Sequence, residues 1–236
     1  MSKLDFNLTL LKIGKSNREL IIKGIQFQLN DGERVVALVG ESGLGKTTIF
    51  KSLFSTYVNL WRKETNIDFK CSHTINGSTL TEKIITDGKE KPNFGFATQV
   101  PYFFSYKSVE ENLFYPLKWL KNIPVTPQFR NDYLEKFKLA DLRAAEMHHL
   151  SGGQRQMVNI ARIFLSNPEL VIFDETFSNM NEAKAKEYFD LIIQKCPSTI
   201  IFLTSHRESD IEKFNAKRIL LKKKKDEAGI FYVTLK

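Results

Sequence analysis

Cysteine is scarce in this chain of 236 residues, which contains only Cys71 and Cys196. Their spacing fits neither a disulfide framework nor a metal or redox motif, so we expect two free thiols in a reducing compartment. Long apolar runs are also absent, and the longest ones, such as Val35–Val39, have only the length of a buried strand. No apolar stretch follows the first residues, so the sequence predicts neither a secretory signal nor a membrane-spanning segment.

The overall composition is that of a folded globular protein, with 42% hydrophobic and 26% charged residues. A chain of this length suits one sizeable α/β domain with a full core. The net charge is +8, and the positive charge is densest at Lys222–Lys225. We expect this run to be a solvated turn between strands at Arg218–Leu221 and Ile230–Leu235, with contact to anionic lipid headgroups as the alternative.

Apolar residues follow two different strand patterns along the chain. Alternation with polar residues predicts half-buried strands at Leu4–Leu10 and Ile25–Leu29. Continuous apolar runs predict strands buried on both faces. These runs are Val35–Val39, Leu170–Phe173 and Ile200–Leu203.

The rest of the chain reads as turns and helices around these strands. Residues 62–95 are polar with turn dipeptides, which predicts short antiparallel strands, and a strand at Phe94–Thr98 follows. A helical pattern with proline breaks extends from about residue 105 to about residue 165. Polar residues directly follow the three continuous apolar strands, and an open α/β sheet builds its ligand site from such strand ends.

The segment after Val35–Val39 fits the phosphate-loop pattern G-x-x-x-x-G-K-[ST]. Its residues are Gly40, Glu41, Ser42, Gly43, Leu44, Gly45, Lys46 and Thr47. In such a loop, backbone N–H groups surround the phosphates of a nucleoside triphosphate, Lys46 contacts the β- and γ-phosphates, and the Thr47 hydroxyl helps to hold Mg²⁺. A helix that begins with Lys46, Thr47 and Thr48 and runs to about Trp61 completes the required strand–loop–helix context.

A second phosphate-type motif lies at the start of a predicted helix over Gln154–Leu165. Its residues are Leu150, Ser151, Gly152, Gly153 and Gln154. The two glycines allow a backbone to approach a phosphate closely, and the amino end of a helix favours anions. The sequence therefore predicts two separate segments that can contact phosphate.

Acidic and polar side chains follow the predicted strands. Asp174 and Glu175 end one strand, and the alternation of a strand predicts that they point to opposite sides, one toward Mg²⁺ and one toward an attacking water. Gln99 follows the strand Phe94–Thr98, and His206 follows the strand Ile200–Leu203. We expect the other histidines, which are His73, His148 and His149, to have structural roles.

The phosphate loop together with the sequence LSGGQ resembles the ATP-binding cassette (ABC) ATPase family. This resemblance implies an α/β fold with a P-loop NTPase (RecA-like) core, an antiparallel β subdomain and an inserted α-helical subdomain. The chain would be a single domain over residues 1–236. Residues 1–99 and 166–236 would form the ATP-binding core with the β subdomain, and about 100–165 would form the helical subdomain.

The resemblance also assigns roles to single residues and implies ATP and Mg²⁺ as cofactors. Asp174 would support the metal, together with Thr47 and Gln99, and Glu175 would polarise the water that attacks the γ-phosphate. His206 would contact the γ-phosphate, and Lys46 would neutralise charge. Residues Gly40 to Thr48 would bind ATP within the subunit, and Leu150 to Gln154 would close over the ATP of a second subunit.

Two positions depart from the family pattern. Ile13 stands where the family has an aromatic residue that stacks on adenine, which predicts relaxed base selectivity. The segment Thr176 to Asn181 lacks the usual proline and ends in asparagine where the family has aspartate. This second departure predicts weaker coupling between the two ATP sites, or pairing with a non-identical subunit.

The leading functional hypothesis is the nucleotide-binding subunit of an ABC transporter, on the cytosolic face of a membrane. Its partners would be a transmembrane subunit or domain and a second nucleotide-binding subunit, identical or not, with no nucleic acid. The aromatic segment Val100–Tyr106 would dock the membrane partner, unless these side chains pack inside the helical subdomain. The alternatives are a soluble ABC ATPase that acts on nucleic acid or ribosomes, favoured by the positive charge, and a weakly hydrolysing regulatory cassette.

Overall fold

The computed structural model describes residues 4–14, 20–30, 32–52, 67–75, 78–79, 94–119, 125–205, 207–227 and 229–236. The strands among them are β1 (Leu4–Ile13), β2 (Leu20–Gln28), β3 (Val35–Val39), β4 (Ile67–Ile75), β5 (Ser78–Thr79), β6 (Phe94–Ala97), β7 (Leu170–Asp174), β8 (Ile200–Thr204), β9 (Lys217–Lys225) and β10 (Phe231–Leu235). The helices are α1 (Lys46–Lys51), α2 (Val109–Phe114), α3 (Pro127–Lys136), α4 (Gly152–Phe164), α5 (Glu182–Lys195) and α6 (Glu208–Lys213). Short 3₁₀ helices cover Tyr115–Trp119, Ala140–Leu142 and Met147–His149.

The chain divides into two compact units. Unit 1 contains Met1–Pro92, Ile200–Thr204 and Asn215–Lys236. Unit 2 contains Asn93–Thr199 and Ser205–Phe214. The boundaries that the sequence predicts for an ATP-binding core and a helical subdomain remain predictions.

Unit 1 is built on a mixed sheet with the strand order β5-β4-β1-β2-β10-β9-β3-β8. Strands β1, β2, β4 and β5 pair in antiparallel fashion, which is the predicted antiparallel β region. Strand β3 pairs in parallel with β8 on one side and β9 on the other. This arrangement confirms the predicted α/β fold class.

The continuous apolar runs form strands almost as predicted. Strand β3 has the predicted bounds, and its first four residues are buried, as expected for a strand covered on both faces. Strands β7 and β8 each extend one residue beyond the predicted run. Helix α1 begins at the predicted Lys46, and its predicted continuation from residue 53 to about Trp61 lies outside the described residues.

The lysine run is not the turn that the sequence predicts. Lys222–Lys225 continue strand β9 and pair with β10 in antiparallel register, for example Lys223 with Val233. The chain reverses after them, where the Asp226 carboxylate accepts a hydrogen bond from the Ile230 backbone N–H at 2.8 Å. A strand can carry consecutive lysines here because their side chains lie near the surface, and the Phe231 ring supports the Lys223 ammonium at 4.5 Å.

Unit 2 places helices α2 and α3 between the parallel strands β6 and β7 in the sequence. Helix α4 packs so closely on β6 that a Cβ atom at Gly95 would lie 2.2 Å from the Ile163 side chain. Two buried tyrosines also form hydrogen bonds to the backbone of α4. The Tyr133 hydroxyl donates to the Ala161 carbonyl at 2.6 Å, and the Tyr188 hydroxyl donates to the Met157 carbonyl at 3.1 Å. Burial raises the pKa of both tyrosines, so these hydroxyls remain donors.

Within the part of the chain that the structure describes, every helix is too short or too polar to cross a bilayer.

An aromatic cluster fills the interior of unit 1. The Phe6 ring stacks on Phe27 at 4.7 Å, and Phe50 stacks on Phe202 at 4.8 Å. His73 belongs to this cluster, with its ring 4.2 Å from that of Phe6, so the structure confirms the structural role expected for it. Its Nδ1 accepts a hydrogen bond from the Asn7 backbone N–H, and its Nε2 has no hydrogen-bond partner in the described residues.

Burial of His73 predicts a specific dependence of stability on pH. Desolvation lowers the pKa of this imidazole to about 3, well below its unfolded value, so the folded protein holds it neutral. As the pH falls from 7 to 5, the unfolded chain gains a proton that the folded chain cannot take up. The free energy of unfolding should therefore fall by about 2 kcal/mol through this residue alone.

The measurement is urea unfolding at both pH values for the wild type and for His73→Phe. The variant keeps an aromatic ring beside Phe6 and loses stability at both pH values, because the Asn7 N–H loses its acceptor. Its loss between pH 7 and pH 5 should be smaller than that of the wild type by about 2 kcal/mol. Equal losses would show that His73 is protonated in the folded state.

Candidate functional site

The phosphate-loop sequence occupies the turn between a buried strand and a helix in unit 1. Strand β3 ends at Val39, the loop follows over residues 40–45, and α1 begins at Lys46. The Ile49 N–H donates to the Gly45 carbonyl at 2.8 Å, which starts the helix. This is the strand–loop–helix context that the sequence predicts, with the amino end of a helix at the loop.

Two glycines of this loop have backbones that disfavour any other residue. Gly43 and Gly45 have φ angles of 80° and 76°, in the left-handed region. At Gly45 there is also no space, since a Cβ atom would lie 2.8 Å from the Leu20 side chain. The packing of unit 1 therefore contributes to the need for glycine in the loop.

Lys46 curls back over the loop. Its ammonium donates to the Gly40 carbonyl at 2.8 Å and to the Glu41 carbonyl at 2.9 Å, and the residue is only 8% exposed. The positive charge of Lys46 therefore lies over the loop, whose backbone N–H groups would surround a phosphate.

Ile13 lies near this loop through its strand partner. It is half-buried at the end of β1 and pairs with Leu20 of β2. The Leu20 side chain is the one that a Cβ atom at Gly45 would strike. Leu20 and Ile22 are therefore aliphatic residues beside Gly45, and adenine contact by Ile13 stays a prediction.

The two predicted acids lie in unit 2, where β7 ends at Asp174 and Glu175 follows. Glu175 has φ of 52°, in the left-handed region, which costs a residue other than glycine about 1–3 kcal/mol. Strand alternation does not apply to Glu175, because the strand has ended before it, and the separation of the two side chains stays a prediction. The backbone bend, and not the pleat, sets the direction of this carboxylate.

Neighbouring contacts hold this bend in place. The Thr176 hydroxyl, which is buried, donates to the Ala97 carbonyl at the end of β6. The Ser178 N–H donates to the Glu175 carbonyl at 3.1 Å, which closes a tight turn. Phe177 packs its ring edge-on against Phe173 at 5.2 Å. The segment that carries Glu175 is therefore held by hydrogen bonds to β6 and within its own turn, and by the packing of Phe177 on β7.

Gln99 lies beside this segment. Its side-chain amide donates to the Ser178 hydroxyl at 3.4 Å, and its backbone carbonyl accepts from the Asn179 side chain at 3.3 Å. The same carbonyl accepts a 2.6 Å hydrogen bond from Gln156 of helix α4, which is fully buried. The structure thus brings together Gln99, the segment after the acids and the helix of the second motif.

Gln156 is a residue that the sequence analysis missed. Its side-chain amide also donates to the Thr98 carbonyl, and its oxygen accepts from Asn159 at 3.3 Å. Gln156 and Asn159 are three residues apart on the buried face of α4. The sequence did contain a signal for them, since two polar residues at helical spacing on an otherwise apolar face indicate buried side chains with hydrogen-bond partners.

The second motif forms a capping box at the start of α4. The Ser151 hydroxyl accepts from the Gln154 N–H at 3.2 Å, and the Gln154 side chain accepts from the Ser151 N–H at 2.8 Å. The Arg155 guanidinium donates to the Leu150 carbonyl at 2.6 Å. Ser151 and Gln154 therefore act as helix-capping residues in the chain itself.

The glycines of this motif have no such internal explanation. Their φ angles are not in the left-handed region, and a Cβ atom at Gly152 or Gly153 would make only ordinary contacts, the nearest at 3.7 Å and 3.5 Å. Alanine in a helix is more favourable than glycine by about 1 kcal/mol. The chain's own packing therefore does not require glycine here, whereas close approach of another molecule would.

The motif opens on a pocket of about 460 Å³ within unit 2. Its lining includes Ser151 to Gln154, Asn179 to Asn181, the lysines Lys138 and Lys184, and the acids Asp141 and Glu187. Apart from Glu175, Lys138 is the one described residue other than glycine and asparagine with a positive φ, at 54°. Asn181 serves as the N-cap of α5, since its side-chain oxygen accepts from the Lys184 N–H at 2.8 Å.

Arg207 binds the backbone of the segment that follows Glu175, and the sequence analysis missed this residue. Its guanidinium donates to the Phe177 carbonyl at 2.6 Å, to the Met180 carbonyl at 2.9 Å and to the buried Asp210 carboxylate at 2.9 Å. Its neighbour in the sequence, His206, lies outside the described residues. No local pattern marks Arg207, because its partners are backbone carbonyls distant in the sequence.

The family model described as ABC transporter matches residues 22–178. The chain is 30% identical over 212 residues to the arginine transport ATP-binding protein ArtM of Bacillus subtilis (strain 168), which covers 89% of this chain and 84% of that protein. It is 31% identical over 217 residues to the lipoprotein-releasing system ATP-binding protein LolD of Neorickettsia sennetsu, with coverage of 87% and 88%.

Solved structures share the fold. An ATP-binding cassette of an ABC transporter in its ADP conformation matches 93% of this chain and 87% of that chain, with a TM-score of 0.68 and 20% identity. A bacterial Atm1-family ABC exporter with ATP bound matches 93% of this chain and 37% of that chain, with a TM-score of 0.66 and 22% identity. The fold is therefore that of ATP-binding cassettes.

The contacts of Arg207 predict that it positions the Glu175 segment, and therefore that its replacement slows ATP hydrolysis. Arg207→Lys keeps a positive charge near Asp210 but cannot donate to both carbonyls and the carboxylate from one planar fork. The Glu175 segment should then be less well placed, and kcat for ATP hydrolysis should fall by about tenfold to a hundredfold with KM unchanged.

The matched control is Arg143→Lys. Arg143 makes a similar fork to Glu110, with distances of 2.6 Å and 2.7 Å, outside the Glu175 segment. Its replacement should leave kcat unchanged. Equal kcat values for the two variants, or a change of Arg207→Lys in stability alone, would exclude the positioning role.

Proposed function

The chain belongs to the ABC transporter family of ATP-binding proteins, and from this membership we propose that it is an ATPase subunit that dimerises around two ATP molecules and powers transport through a membrane partner. The ATP-binding and ATP-hydrolysing character follows from the family. The dimer and the membrane partner are the parts that need support from the residues themselves.

The observation that carries the proposed dimer is the pair Gly152 and Gly153. Neither glycine is required by its own φ angle or by internal packing, yet both line a pocket, whose charged residues are two lysines and two acids. A phosphate that approaches the helix backbone from a second subunit would account for both glycines. The capping box at Ser151 keeps that end of the helix ordered before a ligand arrives.

In this proposal the residues that the sequence singles out divide the roles in ATP hydrolysis. The loop around Lys46 binds the phosphates, and Glu175 polarises the attacking water. The oxygen donors Thr47, Gln99 and Asp174 are the kind of ligand that Mg²⁺ prefers. The ion would neutralise charge on the β- and γ-phosphates when it is bound. His206 would contact the γ-phosphate.

Hydrolysis and dimerisation can be separated in one experiment. Glu175→Gln should lower the rate of ATP hydrolysis by about a hundredfold or more, because the general base is lost while the phosphate loop is unchanged. ATP-bound dimers should then accumulate and can be counted by light scattering. The control Glu169→Gln changes an exposed carboxylate before the same strand and should retain full turnover.

Adding Gly153→Ala to Glu175→Gln tests the glycine argument. The new methyl group meets nothing closer than 3.5 Å within the chain, so stability should be equal or higher. The ATP-dependent dimer should weaken by about tenfold or more, since the methyl group occupies the space of the approaching phosphate. An unchanged dimer would refute the proposed role of the motif, and full turnover in Glu175→Gln would refute the role of that acid.

Exposed aromatic side chains support the proposed membrane partner. Tyr102 is 86% exposed and Phe104 is 57% exposed, and Val100 and Tyr106 are also exposed. One alternative was that the aromatic side chains of Val100–Tyr106 pack inside the helical subdomain. It is therefore wrong for Tyr102, Phe104 and Tyr106. Four large exposed side chains at alternate positions directly after Gln99 are typical of a protein-binding surface.

This surface predicts which variants lose the partner. Tyr102→Asp should abolish co-purification of a polytopic membrane protein from detergent-solubilised membranes, measured by mass spectrometry, and should leave ATP hydrolysis unchanged. Phe231→Asp is the control, since Phe231 is 54% exposed in unit 1, and it should retain the partner. Recovery of ribosomes or nucleic acid by all variants would support the soluble ATPase instead.

A further inference from the structure

Three side chains with metal-binding chemistry converge just before the LSGGQ motif. They are Glu146, His148 and His149, and one potential ligand atom from each lies within 4.8 Å of the others. The Glu146 carboxylate is 3.3 Å from Nδ1 of His148, and the two imidazole rings are 3.9 Å apart between centroids. The functions proposed above do not use any of these three residues.

The backbone that carries them is well fixed. His148 and His149 belong to the 3₁₀ helix Met147–His149, in which the Met147 side chain is buried. The Met147 N–H donates to the Lys107 carbonyl at 3.1 Å, and the His148 N–H donates to the Ser105 carbonyl at 3.2 Å. The ligands are therefore presented by an element with tertiary support.

The segment that receives these hydrogen bonds is itself held by a buried asparagine. The Asn112 side-chain amide donates to the carbonyls of Phe104, Lys107 and Ser108, at 3.0 Å to 3.1 Å. Its oxygen accepts from the Phe104 N–H at 2.9 Å. Since Asn112 is fully buried, residues 104–108 form a fixed support for the three ligands.

Two contacts hold the His148 ring beside Glu146. Its Nδ1 lies 3.1 Å from the Ser105 carbonyl and 3.3 Å from the Glu146 carboxylate. The second distance is close to the separation of two ligands of one Zn²⁺, so this nitrogen and the carboxylate are already placed near each other as ligands of the same ion would be.

We infer that Glu146, His148 and His149 form a binding site for a zinc-class transition-metal ion. Two imidazoles and one carboxylate suit Zn²⁺, Ni²⁺ or Cu²⁺, whereas Mg²⁺ and Ca²⁺ prefer oxygen ligands only. Around Zn²⁺ the ligand atoms of a tetrahedral site lie about 3.4 Å apart. Rotation of the three exposed side chains would bring ligand atoms that now lie within 4.8 Å of one another to this spacing, and water would take the fourth position.

The ion would stabilise the segment that leads into the LSGGQ motif. It closes a ring through residues 146–149, directly before Leu150, and it adjoins the exposed aromatic segment because the Tyr106 ring lies 5.2 Å from that of His148. Metal binding does not rest on the proposed ATPase function, since none of the three ligands belongs to the ATP-binding residues. The two can be tested on the same protein independently.

The test is calorimetric titration of the tag-free, chelator-treated chain with Zn²⁺ in the absence of nucleotide. One equivalent should bind, and Glu146→Gln and His149→Gln should each weaken binding by about tenfold or more. Glu135→Gln, which changes an exposed carboxylate on α3, and Cys71→Ser, which removes a half-buried thiol, are controls that should bind as the wild type does. Titration with Mg²⁺ should give no comparable signal.

Hydrogen exchange supplies a second readout that does not depend on activity. Zn²⁺ should slow exchange of the Met147 and His148 amides in the wild type and in Cys71→Ser, but not in His149→Gln. Equal affinity of the wild type and His149→Gln, or loss of binding in Cys71→Ser, would overturn the proposal. Unchanged ATP hydrolysis in all of these variants would leave the proposed ATPase function untouched in either case.

Discussion

The hydrogen bonds of one buried amide fix the arrangement of functional residues in unit 2. Gln156 donates to the carbonyls of Thr98 and Gln99 from a fully buried position on α4. An apolar residue there would remove one donor from the Thr98 carbonyl and would leave the Gln99 carbonyl with the Asn179 side chain, and each lost hydrogen bond costs about 0.5–1.5 kcal/mol. The helix that begins at the LSGGQ motif therefore has one favourable register against the Gln99 segment, and the remaining contacts of this region build on that register.

The two glycine-containing motifs illustrate different reasons for the same residue. In the phosphate loop, Gly45 is required by its left-handed backbone and by the Leu20 side chain beside it. At the start of α4, Gly152 and Gly153 satisfy no such internal requirement, and alanine would favour the helix. A glycine that the fold needs and a glycine that the fold merely tolerates look the same in the sequence. Only the surrounding structure shows whether a glycine is needed by the fold or leaves access for a ligand.

Sequence patterns predict what depends on near neighbours. Strand β3 and the loop after it were predictable, because burial on both faces gives a continuous apolar run and the loop motif is local. The lysines at Lys222–Lys225 were mispredicted, since a strand near the surface can carry charge without alternation. Gln156 and Arg207 were missed because they bind backbone carbonyls, which every residue has and which therefore leave no mark in the sequence. Their roles arise only when distant segments meet.

The placement of Glu175 depends on neighbours rather than on its own preference. Its left-handed backbone is unfavourable, and three contacts from different directions oppose its relaxation. Thr176 is tied to the end of β6, the Phe177 ring is packed among other rings, and Arg207 binds the carbonyls of Phe177 and Met180. A segment fixed at so many points can keep an acid in a strained position. Substitutions at these anchors should therefore act on Glu175 even though none of them removes its carboxylate.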